Sequence, residues 1–345
     1  MTEKDISLIK KLLSSPKKIV ITTHRSPDAD AIGSSLGLYH FLKLKKHNAV
    51  VITPNSYPDF LHWMPGHKDV VLFDSNTEKA KKLTKEAEII FCLDYNALSR
   101  MEKYGEVVGK SNAKKILIDH HQQPEDFHDF ILSDYSASST AQLVYRFFEL
   151  LAEDYLINAD IAECLYAGIM TDSGSFRFPT TSSDTHRIIA KLIDAGARPD
   201  KIYNLVFDDN TLERMNLLGY TLHNKLKYFP EYRTAMISLT RDELKQFRYR
   251  QGDTEGFVNY ALSIKGVRLC ALMIEKKDLV KLSFRSKGNF SVNKFAREHF
   301  AGGGHINAAG GESRLSLDET VNKFISLLSQ YKDELLTHGT QSHID

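Results

Sequence analysis

The sequence of 345 residues is short of cysteine, of net charge and of long apolar runs. Each of its three cysteines, Cys92, Cys164 and Cys270, stands alone in an apolar stretch. This usage argues against a disulfide framework or a thiolate metal site and is typical of a reducing compartment. No apolar run approaches the length that crosses a bilayer, and the N-terminal residues lack a signal-peptide core. We therefore predict a cytoplasmic protein with no membrane partner.

A net charge of only +1 excludes a general electrostatic attraction to nucleic acid or to membranes. Long duplexes require an extended basic track, which this composition does not indicate. The hydrophobic fraction of 42% and the charged fraction of 26% are ordinary for a globular protein, and the length allows two domains. Short ligands are therefore the more natural partners.

The first half of the chain alternates strand-like and helix-like segments. The strand-like segments are KIVITT (18–23), AVVIT (49–53), EIIFCLD (88–94) and KKILID. Because they are apolar on both faces and lie between helical patterns, they predict a parallel sheet covered on both sides. Helices are expected at about 31–46, 140–151 and 184–194, and the stretch SASST offers hydroxyls to cap the second.

The second half indicates a different sheet. The segments YRTAMISL, VRLCALMIEK and LVKLSFRS predict the strands of a smaller α/β domain with a mixed sheet. We predict three regions, namely a doubly wound catalytic domain at 1–197, a helical linker at 198–228 and a second domain at 229–345. The fold class is α/β, and we expect a substrate cleft between the two domains.

Apolar segments in the first half end in side chains that bind metals. These side chains are His24, Asp28 and Asp30 after KIVITT, Asp94 after EIIFCL, Asp119, His120 and His121 after KKILI, and Asp172 after LYAGIMT. Reading all four segments as strands, we expect their ends to meet at one edge of the sheet, where parallel sheets bind ligands.

So many clustered carboxylates cannot all remain ionised without a cation. The donors, aspartate oxygen and histidine nitrogen, suit Mn²⁺ or Mg²⁺, and their number suits two ions that would hold a phosphate and activate a water molecule. Taken singly, Asp28 and Asp30 are better explained as helix caps, Asp94 can be a turn residue, and the two histidines are more typical of a loop or of hydrogen-bond donors in a core. Their coincidence favours a metal centre.

Five motifs in order resemble those of the DHH-family phosphoesterases. They are HRSPDADAIGS, LDYN, IDHHQQP, TDSGSFRF and GGGHINAAGG, which together span residues 24–311. The last resembles the signature of the DHH-associated C-terminal domain. Within the family, the chain length and the segments EGFVNYALSIKGV and SFRSKGNFSVNKFA resemble the bacterial branch of nanoRNases and 3′-phosphoadenosine 5′-phosphate (pAp) phosphatases.

The resemblance implies a role for each residue. One metal ion would be bound by His24, Asp28 and Asp94, and the other by Asp30, Asp94, His120 and Asp172. Asp119 would then orient a neighbouring ring, and His121 would donate a hydrogen bond to the phosphate. The implied activity is hydrolysis of short single-stranded RNA to mononucleotides and of pAp to AMP, with Mn²⁺ preferred and Mg²⁺ allowed.

The C-terminal region offers groups that would hold the substrate. Consecutive glycines let backbone N–H groups approach a phosphate, and these substrate-binding candidates are Gly302, Gly303, Gly304, His305, Arg285 and Ser286. The structural alternative is a tight turn before a small-residue helix containing Ala308 and Ala309. Phe176, Phe178 and Tyr95 are candidates to stack a base, with a core position equally favoured.

Two other enzymatic functions remain open at this point. A phosphodiesterase for linear dinucleotides such as pApA or pGpG would share every catalytic residue. A pyrophosphatase or exopolyphosphatase would share the metal domain. A nucleotide sensor without activity is disfavoured because no ligand of the motif is missing, and a homodimer is left open.

Overall fold

In the computed structural model, residues 1–250 and 252–337 are described, and the chain divides into two compact units, Met1–Asp209 and Asn210–Asp345. The division falls inside the predicted linker at 198–228. Residues 338–345 of the predicted second domain, and position 251, lie outside the described residues.

The first unit contains a six-stranded sheet and eight α-helices among its described residues. The strands are β1 (Lys18–Thr22), β2 (Asn48–Thr53), β3 (Val71–Leu72), β4 (Ile89–Leu93), β5 (Lys114–Asp119) and β6 (Phe130–Ser133). The helices are α1 (Glu3–Leu12), α2 (Ala29–Leu44), α3 (Thr77–Glu86), α4 (Lys103–Gly109), α5 (Thr140–Leu150), α6 (Ala159–Asp172), α7 (Ser183–Asp194) and α8 (Pro199–Tyr203).

All strand pairs of this sheet are parallel, in the order β3-β2-β1-β4-β5-β6, as predicted. Every residue of β4 is buried, and so are the last four of β1 and the last five of β5. One core lies on each face of the sheet. Continuous apolar strands of this kind are stable only when both faces are covered, each buried side chain contributing roughly 1.5–3 kcal/mol.

Helices α2 and α6 pack closely, and two glycines make the approach feasible. A Cβ on Gly33 of α2 would lie 2.4 Å from the carbonyl oxygen of Cys164 of α6, and a Cβ on Gly168 of α6 would lie 3.3 Å from Cα of Asp30 of α2. Gly33 thus permits close backbone packing between the two helices. Both helices are mostly buried, so their apolar residues occupy more than one face.

The second unit contains a separate six-stranded sheet in the order β11-β12-β10-β9-β8-β7. Its strands are β7 (Leu226–Phe229), β8 (Thr234–Leu239), β9 (Leu269–Glu275), β10 (Val280–Ser286), β11 (Gly303–Gly304) and β12 (Ala308–Ser313). Its helices are α9 (Leu212–Tyr220), α10 (Arg241–Gln246), α11 (Phe257–Leu262), α12 (Val292–His299), α13 (Leu317–Leu328) and α14 (Lys332–Leu336). β8 and β9 are parallel and the other pairs antiparallel, which confirms the predicted mixed sheet.

Shorter helical turns connect these elements. They are 3₁₀ turns at Asp59–Leu61, His67–Asp69, Leu98–Met101, Asp154–Leu156, Pro230–Tyr232 and Ser329–Tyr331, and π turns at Asn204–Asp208 and Thr221–Lys225. In the part of the chain that the structure describes, no helix combines the length and apolarity needed to cross a membrane.

Candidate metal centre

The ends of three neighbouring strands bring most of the predicted site residues to one edge of the first sheet. β1 lies between β2 and β4, so the chain order reverses direction beside it, and ligands bind parallel sheets at such a point. His24 follows β1, Asp94 follows β4, and β5 ends at Asp119. The local sequence places these side chains together because each continues a buried strand.

Asp172 reaches this edge from a helix, and the prediction that it follows a strand was wrong. It is the last residue of α6, whose buried residues surround the helix axis, and a short helix that is apolar on all faces is hard to distinguish from a buried strand. The close crossing of α6 with α2 brings the carboxyl groups of Asp172 and Asp30 near each other. A Cβ on Gly168, one turn before Asp172, would lie 2.9 Å from Oδ1 of Asp30.

The six predicted metal ligands form two groups whose donor atoms lie within 4.8 Å of one another. The first group is His24, Asp28 and Asp94, and the second is Asp30, His120 and Asp172. Asp94 touches both groups, since its Oδ2 lies 3.3 Å from Nε2 of His24 and its Oδ1 lies 3.6 Å from Nε2 of His120. The two oxygens of this carboxylate thus face one histidine in each group.

His120 is oriented by the backbone on one side and faces carboxylates on the other. Its Nδ1 lies 3.3 Å from the carbonyl oxygen of Ala137. Its Nε2 lies 3.4 Å from Asp172 Oδ2, 3.6 Å from Asp94 Oδ1 and 3.8 Å from Asp30 Oδ2. Donation from Nδ1 to the carbonyl leaves the Nε2 lone pair directed at the carboxylates, which is the tautomer that a metal-binding histidine requires.

The N-terminus of α5 supports two of the carboxylates, which the sequence did not reveal. The amides of Thr140 and Ala141 donate to Asp30 at 2.7 and 2.8 Å, and the Thr140 hydroxyl donates to Asp94 at 2.9 Å. A helix N-terminus stabilises negative charge, so this helix helps to keep both aspartates ionised. The stretch SASST predicted only the cap, which is made by Ser139.

Asp28 caps α2 and also belongs to the first ligand group, so the two interpretations of this residue are compatible. Its Oδ1 accepts from the amides of Asp30 and Ala31 at 3.1 and 3.0 Å. Asp94 has a left-handed backbone, with a φ of 65°. A non-glycine residue in this region is strained by the order of 1 kcal/mol, and such strain is common at functional sites.

The electrostatics of the cluster indicate that a cation fits it. Burial, together with the charges of Asp94 and Asp172, raises the pKa of Asp30 well above its ordinary value. Burial is the largest single influence on the pKa of Asp94 and acts to raise it, but the hydrogen bond from His24 and the nearby positive charges together outweigh it, and the net shift is downward. Carboxylates that repel one another in a buried site are stabilised by a divalent ion. The set of aspartate and histidine donors matches Mn²⁺ or Mg²⁺.

Asp119 and His121 form a buried pair beside the two groups. His121 Nδ1 lies 2.7 Å from Asp119 Oδ1 and 3.7 Å from Asp94 Oδ1. Burial, followed by the charge of Asp94, raises the pKa of Asp119 to about 7. The other oxygen of Asp119, Oδ2, has no hydrogen-bond partner among residues 1–250 and 252–337. The pair fixes the ring of His121, and its role toward a substrate remains a prediction.

In the second unit, the predicted glycine-rich site is a β-hairpin. β11 pairs with β12, and the His305 amide donates to the carbonyl oxygen of Ala308 at 2.7 Å. Glycine is required at Gly302, where a Cβ would lie 2.0 Å from a backbone oxygen, and at Gly304, where φ is 144°. The alternative of a helix containing Ala308 and Ala309 was wrong, because both residues lie in β12 and Ala309 pairs with Phe284 of β10.

The end of β10 carries the two other predicted substrate residues. Ser286 is buried; its hydroxyl donates to the carbonyl oxygen of Phe290 at 2.7 Å and accepts from the Asn307 side chain at 2.9 Å. Ser286 therefore fastens β10 to the turn of the hairpin. Arg285 donates through Nη1 to the carbonyl oxygen of Phe284 at 3.0 Å. Contact of either residue with a substrate remains a prediction.

Of the three aromatic candidates for base stacking, Tyr95 is excluded. It is fully buried and stacks on Phe127 with ring centres 5.9 Å apart. Phe176 is half-buried and packs edge-on against Tyr166. Phe178 is half-buried too, and the exposed Arg177 lies over its ring at 5.6 Å.

Comparison with known proteins agrees with the motifs. The profile of the DHH family N-terminal domain matches residues 18–169, and that of the DHHA1 domain matches residues 234–334. A protein of Thermus thermophilus named bifunctional oligoribonuclease and PAP phosphatase NrnA is 31% identical over 93% of this chain and 91% of its own length. The protein of the same name from Bacillus subtilis is 28% identical over 87% and 90%. The crystal structure of an exopolyphosphatase-related protein from Bacteroides fragilis is 44% identical, covers 97% of this chain and 98% of its own, and superposes with a TM-score of 0.92.

Proposed function

Because this chain belongs to the DHH family of phosphoesterases and is therefore a hydrolase of phosphoester bonds, we propose that it cleaves short RNA oligonucleotides to mononucleotides and dephosphorylates pAp to AMP. The observation that carries the proposal is the pair of ligand groups that share Asp94 at the carboxyl edge of the first sheet. The names of the relatives from Thermus thermophilus and Bacillus subtilis support this choice of substrates.

Two divalent ions, with Mn²⁺ preferred, would occupy the two groups. His24, Asp28 and Asp94 would hold one ion, and Asp30, Asp94, His120 and Asp172 would hold the other. Such ions supply positive charge to a phosphoryl group and lower the pKa of water. The hydrogen bonds from Thr140 and Ala141 support this assignment, because they fix the two carboxylates that would otherwise repel each other.

The remaining residues of the first unit would act on the phosphate. His121 would donate from Nε2 to a phosphate oxygen as negative charge develops. Donation from both ring nitrogens requires the imidazolium form, and the buried carboxylate of Asp119, 2.7 Å from Nδ1, stabilises that form. Asp119 would thus position His121 without touching the substrate.

Residues of the second unit would bind the body of the substrate. Gly302, Gly303 and Gly304 would offer backbone N–H groups, and His305 and Arg285 would offer side-chain donors. The hairpin supports this proposal, because Gly302 and Gly304 are required by close backbone contacts, so the turn has a defined shape before any ligand arrives. Ser286 would contribute through that shape, since its hydroxyl holds the hairpin turn.

A substrate panel tests the proposal. Dinucleotides to pentanucleotides, pAp, pApA, pGpG and pyrophosphate would be assayed with Mn²⁺ and with Mg²⁺. We expect mononucleotides from the short RNAs and AMP from pAp, with faster turnover in Mn²⁺. Faster cleavage of pApA or pGpG than of an ordinary dinucleotide would identify a linear-dinucleotide phosphodiesterase.

A second candidate function is cleavage of pyrophosphate or polyphosphate. The similarity to the Bacteroides fragilis protein, which is described as exopolyphosphatase-related, favours including it. It needs the same metal ligands and no recognition of a base. A rate on pyrophosphate that exceeds the rate on every nucleotide of the panel would establish this function and contradict the first.

A further inference from the structure

Arg100 lies beside the metal centre, although no motif pointed to it. It belongs to the 3₁₀ turn Leu98–Met101, which follows Asp94. Two contacts bind this turn to the end of β1: the Arg25 amide donates to the carbonyl oxygen of Arg100 at 2.9 Å, and the Thr22 hydroxyl donates to the sulfur of Met101 at 3.3 Å. The backbone of Arg100 is therefore fixed next to the residue that follows His24.

The charge of Arg100 reaches the ligand cluster. Burial is the largest influence on the pKa values of His24, Asp94 and Asp119, and the positive charge of Arg100 is among the influences that lower all three. These groups follow three different strands, β1, β4 and β5. Together with the hydrogen bond that fixes its backbone beside Arg25, this places Arg100 at the edge of the sheet where the three strands end.

This guanidinium has no partner in the described part of the chain, 1–250 and 252–337. No carboxylate lies within 4.0 Å of it, and it makes no hydrogen bond there. Arg25, by contrast, holds Asp74 at 3.1 Å and Glu102 at 3.0 Å. Arg100 is half-buried, so its side chain is held in place while its five donors remain available.

The charge balance of the centre, which rests on the proposed function, gives these donors a use. Four aspartate ligands carry a charge of −4 and two divalent ions carry +4, so the loaded cluster is neutral. Arg100 then adds a positive charge beside a neutral cluster, and its planar fork matches two oxygens of a phosphate.

We propose that Arg100 binds a non-bridging oxygen of the phosphate that is cleaved. The phosphate is then contacted by Arg100 in addition to the two ions and His121. This contact lets the first unit favour anionic phosphoesters. Because Arg100 contacts the reacting group, its loss should reduce turnover as well as affinity. A merely electrostatic support of the aspartates would instead show in metal binding.

The test compares Arg100→Ala, Arg100→Lys and the control Arg25→Ala, which removes the same charge from a neighbouring arginine that is already paired. Two readouts are used. Calorimetry measures the affinity of the Mn²⁺-loaded proteins for inorganic phosphate, and kinetics measures kcat/KM on a dinucleotide and on bis(p-nitrophenyl) phosphate, a phosphodiester without a nucleoside. Mn²⁺ affinity is measured for every variant.

For Arg100→Ala we expect phosphate affinity to fall about tenfold and kcat/KM to fall about 10²-fold on both esters. Arg100→Lys should recover part of both losses, and Arg25→Ala should remain within about threefold of wild type. Mn²⁺ affinity should not decrease in Arg100→Ala, because a like charge has been removed.

Wild-type phosphate affinity in Arg100→Ala would overturn the inference, and so would a loss of Mn²⁺ binding that parallels the loss of activity. The assay on bis(p-nitrophenyl) phosphate distinguishes a failure of this inference from a failure of the proposed function. If wild type cleaves it but not the dinucleotide, the RNA substrate is wrong and the role of Arg100 is still decided. If wild type cleaves neither ester, the phosphate affinities decide it.

Discussion

The candidate sites of the two units are built in different ways. At the sheet edge of the first unit, the groups are ionisable side chains, and all but Asp28 and Asp172 among the predicted ligands are buried. In the hairpin of the second unit, the groups are glycines whose backbone is shaped by contacts with the neighbouring strand. The carboxylates of the first site repel one another, whereas the backbone N–H groups of the hairpin carry no net charge.

On the proposed function, this difference would separate chemistry from binding. Buried carboxylates that repel one another are costly, and the proposed metal ions would offset that cost. A hairpin of glycines provides N–H donors at little electrostatic cost but cannot transfer a proton. Substitutions in the first unit should therefore affect turnover, and those in the second should affect affinity or stability.

The largest expected effect is that of Asp94→Asn. Asparagine tolerates the left-handed backbone at this position, so the fold should persist while both ligand groups lose a charge. We expect kcat/KM to fall by about 10³-fold or more and the number of bound Mn²⁺ ions, measured by elemental analysis, to decrease. Asp74→Asn, which removes an exposed aspartate that pairs with Arg25, is the control. Full turnover in Asp94→Asn would end the two-ion hypothesis.

His121→Ala should leave the metal sites intact and slow the chemical step. His121 is absent from both ligand groups assigned to the ions, so the number of bound Mn²⁺ ions should not change. Loss of one donor to a developing anion lowers kcat by about 10²-fold. Steady-state kinetics on a dinucleotide separates kcat from KM. A variant that loses Mn²⁺ would show that His121 is a ligand and not a phosphate contact.

His305→Ala tests the other side of the comparison. Because the hairpin bond from His305 is made by its backbone amide, which alanine retains, the fold should tolerate the change. We expect KM for a dinucleotide to rise about tenfold and kcat to stay within about threefold. Ile306→Ala truncates the next residue, which is 44% exposed, and should match wild type. A fall in kcat with unchanged KM would mean that the two units do not divide the work in this way.

The sequence predicted the parallel sheet of the first unit because its strands are buried on both faces and carry an unmistakable apolar pattern. It failed for α6, which is also buried all round, and for β12, whose Ala308, Ala309 and adjoining glycines have little strand propensity and depend on pairing with β10. Tertiary context decided both cases.

The ligand types of the site could be predicted, but not how the ligands are supported. Thr140 donates to Asp30 across 110 residues of sequence and to Asp94 across 46. No local pattern contains such a contact. The same holds for Arg100, which lies near His24 only because its turn is fastened to the end of β1. Local sequence reveals that a residue follows a strand, but it does not reveal which distant helix supplies the hydrogen-bond partner of that residue.

The smallest expected effect concerns the stability of the second unit. The Glu243 carboxylate accepts hydrogen bonds from Lys225 and Tyr220 at 2.8 and 2.7 Å and from the Thr240 amide at 2.8 Å. Burial acts to raise its pKa, but these bonds outweigh it and lower the pKa to about 2. The stabilisation is complete above the ordinary value of about 4.3 and is lost as the pH falls toward 2.

Glu243→Gln should therefore destabilise the second unit by about 1–2 kcal/mol at pH 7 and by progressively less as the pH falls from 5 toward 2. Hydrogen exchange in peptides from β7 and β8 reports this unit, whereas the fluorescence of Trp63, the single tryptophan, reports the first and should not change. Glu231→Gln, at an exposed position, is the matched control. Faster exchange at pH 7 with unaltered kcat would show that the second unit can be weakened without disturbing the chemistry of the first. A fall in kcat that accompanies the faster exchange would show that the candidate metal centre depends on the stability of both units.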